Sequence, residues 1–382
     1  MKLLILARGI PSKNDPQEGC FEWDQAKALA AKGHEVIVMA VDGRIRKFWR
    51  PLGITKTEKD GVIGYKLFYF PTAIIRRLIN RKWGYAIEAW FAKKLFKRIT
   101  RYHGKVDLLH SHYLSCSYLA TRIKSEFSVP TVGTEHWSEV NKENINSEVR
   151  FLGTHTYKYL DQLIAVSKDL GASIRSHFGV ESTVIHNLID ITNLTIPPGG
   201  ADPHKPYTII AVGSLIPRKG FDVLISAFSK SILKDKNVIL RIIGGGTELD
   251  NLNCLIVSKG LSEKICLCGQ MSKSEVFREL QNSDLYVLSS RLENFSVAII
   301  EATANGLPAV ATLCGGVEEY PVKEVIKIPV DEVDAMVEAL EQSYERRFEI
   351  KREEIQNQTL KYFSPEAITT QLEEVYNKIL KK

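Results

Sequence analysis

The chain predicts an α/β fold of two domains, each a parallel sheet covered by helices, with a cleft between them. Three observations predict it. Strand-like and helix-like segments alternate along nearly the whole length, the pattern of repeated βαβ units. The 382 residues exceed one ordinary domain. The alternation breaks once, at Ile196-Pro197-Pro198-Gly199-Gly200-Ala201-Asp202-Pro203, a linker-like composition.

The elements divide the chain into a first domain over 1–190, a linker over 191–206, a second domain over 207–363 and a closing helix over 364–382. The first domain opens with an apolar strand, Lys2–Ala7, and a polar loop through Gly19. A helix over about Phe21–Lys32 leads to the strand Glu35–Ala40. Further strands are expected at Val62–Phe68, Val106–His110, Pro130–Gly133, Leu163–Val166 and Thr183–Ile185, with a helix over about Gly84–Tyr102. The second series runs strand Tyr207–Val212, helix Gly220–Ser229, strand Val238–Ile243 and helix Glu248–Lys259. It continues with strand Ile265–Cys268, helix Ser272–Gln281 and strand Leu285–Leu288. A helix over about Phe295–Asn305 follows, stopped by Gly306 and Pro308. The closing helix has a capping Ser364, Pro365 at its first position and apolar Ile368, Leu372, Val375, Tyr376 and Ile379. Nothing in the sequence assigns it to either domain.

Composition excludes several classes. Apolar residues make up 44% and charged residues 25%, which suits a globular chain with large cores. No apolar run approaches the ~20 residues of a membrane span. Met1–Leu6 is too short for a signal peptide and Arg8 follows at once. The six cysteines are scattered, without C-x-x-C or Cys/His metal spacing. Buried, reduced thiols and a cytoplasmic chain are expected. Neither His-Glu-x-x-His spacing nor an Asp-x-Asp pair is present, so no metal site is expected.

The densest chemistry lies around Glu293 and Glu301. One carboxylate falls in the loop at the carboxyl end of a strand, the other about two turns into the following helix. Ligands of open α/β sheets bind at that end, and free amides near Asn294, Phe295 and Ser296 suit a phosphate. Gly213-Ser214-Leu215-Ile216-Pro217-Arg218-Lys219-Gly220 also follows a strand and opens a helix. Arg218 and Lys219 therefore reach the same sheet edge as the two glutamates, which favours a diphosphate site over the alternative of a solvated basic loop. Gly244-Gly245-Gly246 is as consistent with a tight turn as with a ligand contact. Gly19, between the first strand and first helix, fits either a structural turn or a close backbone approach to a ligand. His110, His112 and Glu135-His136-Trp137 are expected just after strands; His110 and His112 suit packing, while His136 suits a cleft-facing role.

Residues 44–105 hold seventeen Lys/Arg against Glu58, Asp60 and Glu88, interleaved with aromatics such as Trp49, Trp83, Trp90 and Phe91. Ile87, Phe91, Leu95, Ile99 and Tyr102 are expected to form the packed stripe of the helix there. The excess charge suits an anionic membrane surface, at ~1 kcal/mol per basic residue close to it, better than nucleic acid.

These motifs together resemble the retaining nucleotide-sugar glycosyltransferases of family 4, also called group 1, over nearly the whole chain. The resemblance rests on Pro11-Ser12, Gly19, Gln25-Ala26 and Gly33-His34-Glu35-Val36, and on Val184-Ile185-His186-Asn187 with Asp190. It also rests on Gly213 with Lys219-Gly220, and on Glu293 and Glu301 followed by Asn305-Gly306-Leu307-Pro308. It implies two facing Rossmann-like domains, the GT-B arrangement. It implies that Arg218 and Lys219 neutralise a donor diphosphate, Glu301 holds the nucleotide ribose and Glu293 the transferred sugar's hydroxyls. Gly19 would approach the diphosphate, His136 the sugar near its reacting carbon, and Gln270 and Met271 the base. Asn294 and Ser296 stand where the family often has glycine, Cys20 where a second glycine is common, and His186 and Leu188 where Pro and Gly are usual.

The resemblance further implies front-face transfer with retained configuration, the departing diphosphate taking the acceptor's proton, and no metal or other cofactor. The two glutamates are not a glycosidase pair, because neither is left as a nucleophile. Expected partners are a nucleotide-sugar donor, a UDP-sugar ahead of GDP-mannose, and a saccharide or lipid-linked acceptor at the inner face of the plasma membrane, without nucleic acid. A nucleotide-sugar epimerase of the same fold and a non-catalytic basic membrane- or nucleic-acid-binding module are the alternatives.

Overall fold

The structure, a computed structural model, describes residues 1–13, 15, 17–43, 52–70, 81–192, 194–195 and 202–381. It divides into two compact units, Met1–Leu188 with Ile368–Lys382, and Ile189–Ala367.

The first unit is built on an eight-stranded sheet. Its strands are β1 (Lys2–Leu6), β2 (Glu35–Asp42), β3 (Gly53–Lys59), β4 (Val62–Phe68), β5 (Leu108–His112), β6 (Thr131–Glu135), β7 (Gln162–Ala165) and β8 (Thr183–Val184). They lie in the order β3-β4-β2-β1-β5-β6-β7-β8. All pair in parallel except the edge strand β3, which forms an antiparallel hairpin with β4. The helices are α1 (Cys20–Ala31), α2 (Arg81–His103), α3 (Tyr113–Phe127), α4 (Ser147–Thr154) and α5 (Lys168–Phe178). The central strands are apolar on both sides, as a sheet covered on two faces requires.

The second unit carries a six-stranded, all-parallel sheet. Its strands are β9 (Tyr207–Val212), β10 (Val238–Ile243), β11 (Ile265–Leu267), β12 (Leu285–Leu288), β13 (Ala309–Thr312) and β14 (Val325–Ile328), ordered β11-β10-β9-β12-β13-β14. Helices α6 (Phe221–Lys230), α7 (Leu249–Ser258), α8 (Lys273–Gln281), α9 (Val297–Ala304), α10 (Val333–Glu345) and α11 (Arg352–Phe363) accompany it. A capping box of Ser272 and Glu275 starts α8 at its expected place.

The closing helix α12 (Pro365–Leu380) returns to the first unit. Its Ile368, Leu372 and Tyr376 are buried in one apolar cluster with Leu3, Ile5, Val36 and Leu108. Glu373 on it meets Lys32 at 3.1 Å and His34 at 2.8 Å.

Several expectations change. The buried stripe of α2 is Tyr85, Ala89, Ala92, Leu95, Phe96 and Ile99, whereas Tyr102 is exposed. Leu95 and Ile99 of the predicted stripe are buried, while Ile87 and Phe91 are half-buried. Only Cys116 and Cys314 of the six thiols are buried. The basic residues within 44–51 and 71–80 lie outside the described residues, as do 193 and 196–201 of the linker.

Candidate active site

In each sheet the chain runs outward from a central strand and then returns to its other side. The reversals fall between β9 and β12, and between β1 and β5. At such a point adjacent loops diverge and leave room for a ligand at the carboxyl ends of the strands.

In the second unit the loops after β9, β12 and β13 lock together there. Ser289 Oγ donates to the Lys219 carbonyl at 2.8 Å, and the Arg291 amide donates to the Arg218 carbonyl at 2.8 Å. The Gly316 amide donates to the Asn294 carbonyl at 2.9 Å. Two glycines make this possible. Gly220 has φ 63°, and a Cβ there would lie 2.0 Å from the Ser289 carbonyl oxygen. Gly315 has φ 57°, and its Cβ would lie 2.1 Å from the Glu293 carbonyl oxygen. Each combines a left-handed backbone with a contact that admits no side chain.

The lock places Lys219 Nζ in direct contact with Glu293 Oε1, to which Ser290 Oγ also donates at 2.8 Å. Glu293 is buried, and an ionised carboxylate there is tolerated because a cation and a hydroxyl satisfy it. Gly213 lies against the Lys219 stem, where a Cβ would come within 3.3 Å of Lys219 Cε. Arg218 donates from Nη1 to the Leu292 carbonyl at 3.4 Å. Arg291 braces the loop from outside, reaching Asp222 at 2.7 Å and Asp331 at 2.6 Å. Glu301 is half-buried on α9. The buried Tyr286 hydroxyl on β12 titrates far above its ordinary range, first through desolvation and then through the charges of Glu293 and Glu301.

The helix α9 begins at Val297, with Ser296 as its cap, rather than at Phe295. Phe295 is drawn instead to Phe363 and Tyr320, at ring separations of 5.6 and 6.5 Å. Its side chain serves the core. Asn294 and Ser296 are buried at the helix entrance. Gln270 and Met271 occupy the loop between β11 and α8, two strands from β9 at the same sheet edge. That loop is tied to the one after β10 by the Gly244 amide, which donates to the Gly269 carbonyl at 2.9 Å.

In the first unit His112 lies within its strand rather than after it, while His136 follows β6 as expected. β5 continues through His112 and β6 through Glu135, because His112 stays in register with Thr134. His110 and His112 are therefore buried, and His136 is the first residue beyond the sheet. Four rings and a guanidinium stack in one column. Arg8 lies 3.4 Å over Tyr113, Tyr113 is 4.8 Å from His136, His136 is 5.2 Å from His112, and His112 is 4.6 Å from His110. Arg8 is held by Glu22 at 3.3 Å. Glu135 accepts the His136 and Trp137 amides at 2.9 and 2.8 Å and the Tyr157 hydroxyl at 2.7 Å, which fixes the turn that carries His136. Burial, with the positive charge of Arg8 second, lowers the His136 imidazole to about 3. It is neutral at physiological pH. Gly19 starts α1 with its backbone against the Gly9 carbonyl, a contact that by itself demands glycine.

Arg8, Gln25 and Tyr113 belong to this column, and the sequence does not mark them as site residues. The one signal for Arg8 is its place at the end of β1, beside the reversal. Tyr113 has φ 67°, an outlier for a bulky side chain that no sequence pattern announces.

Residues 192–362 match the family of glycosyl transferases group 1, and residues 23–193 match glycosyltransferase family 4. The chain belongs to the group 1, family 4 glycosyltransferases. A phosphatidylinositol N-acetylglucosaminyltransferase component of Arabidopsis thaliana is 23% identical over 93% of this chain and 77% of its own. An uncharacterized glycosyltransferase of Methanocaldococcus jannaschii is 30% identical over 62% of this chain and 63% of its own. Among solved structures, sucrose-phosphate synthase from Thermosynechococcus elongatus superposes with a TM-score of 0.79 at 17% identity, over 100% of both chains. HepE of Anabaena in complex with UDP gives 0.73 at 18% identity, over 99% of this chain and 100% of its own. The fold is that of the GT-B glycosyltransferases.

Proposed function

We propose that this glycosyltransferase moves a hexose or an N-acetylhexosamine from a nucleoside-diphosphate donor to a hydroxyl of a lipid-linked or polysaccharide acceptor, with retention and without a metal. The observation that carries the proposal is the Lys219–Glu293 contact at the β9/β12 reversal, beside Glu301 and the start of α9. A donor diphosphate would draw the Lys219 ammonium and Arg218 toward its oxygens, where negative charge grows as the glycosidic bond breaks. Glu293, released from the lysine, would accept hydroxyls of the sugar, and Glu301 those of the ribose. The amides around Asn294 to Ser296 would take up sugar and phosphate, and Gly213 would leave the phosphates room. Gln270 and Met271 would meet the base. Gly19 and His136 are the first unit's contributions, to diphosphate and sugar respectively.

A UDP-sugar is the favoured donor, with GDP-mannose next. The Arabidopsis relative is named for N-acetylglucosaminyl transfer to phosphatidylinositol and the Anabaena structure holds UDP, which supports that order. Thermal unfolding with a panel of nucleotides tests it. The matching diphosphate at ~100 times its dissociation constant adds ~2.7 kcal/mol. Indifference to every nucleoside diphosphate overturns the proposal. Formation of an epimer from donor alone, without acceptor, would point to the epimerase.

The acceptor is proposed to be met at the cytoplasmic face of the plasma membrane, where the chain binds peripherally. The outer side of α2 exposes Trp83 and Trp90 together with Lys94, Lys97 and Arg101, and Lys94 Nζ lies 3.7 Å from the Trp90 ring. Among the described residues no helix is long and apolar enough to cross a membrane. Basic and aromatic groups on one face suit anionic lipid headgroups. Flotation should carry the protein with vesicles containing phosphatidylglycerol and not with neutral ones. Equal behaviour on both removes the membrane part of the proposal.

A further inference from the structure

The imidazole column of the first unit is a hydrogen-bonded chain with a direction. His110 and His112 are fully buried, and burial drives both well below the ordinary histidine range, so each ring is neutral and carries one proton. Gln25 Nε2 lies 3.3 Å from His110 Nδ1 and 3.3 Å from His112 Nε2. A primary amide has two N–H groups, and here each has one imidazole nitrogen to meet. Both of those nitrogens must then be lone-pair acceptors.

The remaining proton positions follow. The single lone pair on His110 Nδ1 is shared between the Tyr376 hydroxyl at 2.7 Å and the more distant Gln25 amide, so His110 carries its proton on Nε2 and donates to Thr134 Oγ1 at 2.7 Å. His112, accepting at Nε2, carries its proton on Nδ1 and donates to His136 Nε2 at 2.9 Å. His136 is then left with its proton on Nδ1, and the Asn187 side chain also hydrogen-bonds this ring.

We infer that Gln25 and His112 are positioning residues that hold His136 in its Nδ1–H tautomer, with Nε2 occupied, so that His136 works as a hydrogen-bond donor and never as a base. The consequence for transfer rests on the proposal that His136 meets the donor sugar. A donor to a sugar hydroxyl binds without removing a proton. The acceptor's proton must then leave by another route, consistent with its passage to the departing diphosphate. His136 in the opposite tautomer would put an acceptor lone pair on Nδ1, where a sugar hydroxyl would have to turn round to match it.

Long-range proton–nitrogen correlation spectra of the full chain labelled with 15N-histidine test this, with His136 identified by the signal lost in His136→Gln. The wild type should show His136 protonated at Nδ1 and a hydrogen-bonded, unprotonated Nε2. Protonation at Nε2 overturns the inference. Gln25→Glu replaces the amide donor by an acceptor of the same shape. It should move the His112 proton to Nε2 and force His136 into the Nε2–H tautomer, with kcat lowered ~10-fold or more and KM for the donor changed less. If Gln25→Glu does not fold, Gln25→Met, which cannot donate, should leave His136 as a mixture of tautomers. A His136 signal unchanged in a folded Gln25 variant overturns the positioning role. Tautomers that shift as expected while kcat stays at the wild-type value keep the proton order and instead remove His136 from the transfer reaction, so the two failures are told apart.

Discussion

Lys219→Ala and Glu293→Ala are each expected to lower sugar transfer by at least ~100-fold, the scale of losing one preorganised charge-stabilising group. The two groups touch, so their effects should not add. Removing Lys219 leaves the buried Glu293 carboxylate without its cation, and removing Glu293 leaves the ammonium without its anchor near the diphosphate position. The double variant should therefore lose less than the product of the single losses. Stability will also fall, because breaking a buried pair costs more than never having formed it. Rates should accordingly be measured well below each variant's unfolding temperature. Steady-state turnover near the wild-type value in either single variant would contradict the assignment of this pair to the donor.

The second large effect is on stability in mild acid. His110, His112 and His136 are all lowered from the ordinary value of 6.5, chiefly by burial. Below that value the unfolded chain binds three protons that the folded chain refuses. Stability therefore falls as pH falls, and it is fully present above pH ~6.5. Each histidine contributes a slope of about 1.4 kcal/mol per pH unit, so the three together approach ~4 kcal/mol per unit. Urea unfolding at pH 7.5, 6.5 and 5.5 should show a small change over the first interval and a steep loss over the second. His110→Phe should flatten that loss by about a third. A flat profile between pH 7.5 and 5.5 would show that the column admits protons in the native state.

Much of this molecule was legible in its residues. Apolar runs such as Tyr207–Val212 and Leu285–Leu288 are strands with the expected limits, because a parallel strand buried on both faces is apolar throughout. The carboxyl-edge loops followed from those limits, and with them the arrival of Lys219 and Glu293 at one sheet edge, though not their direct contact. Other parts were silent. The edge strand β3 is polar and exposed, Thr55 to Lys59, and its pairing is antiparallel to β4, so neither apolar content nor βαβ rhythm revealed it. The residues predict a strand ending at His110, with His112 beyond it. Here His110 and His112 continue β5, which is possible only because Gln25, Thr134 and Tyr376 arrive from elsewhere in the chain to satisfy them. Tyr376 is 266 residues away from His110, and no local pattern could announce that partner.

The same tyrosine sets a condition on biosynthesis. The first unit takes its last core side chains, Ile368, Leu372 and Tyr376, from a segment translated only after the second unit. During elongation through the whole second unit, roughly ten to forty seconds at ribosomal speed, the first must wait with an unfilled seam beside Leu3 and Ile5. That interval exposes apolar surface to chaperones and proteases. It also means that expressing residues 1–188 alone should yield an unstable fragment, rescued by supplying α12 in trans.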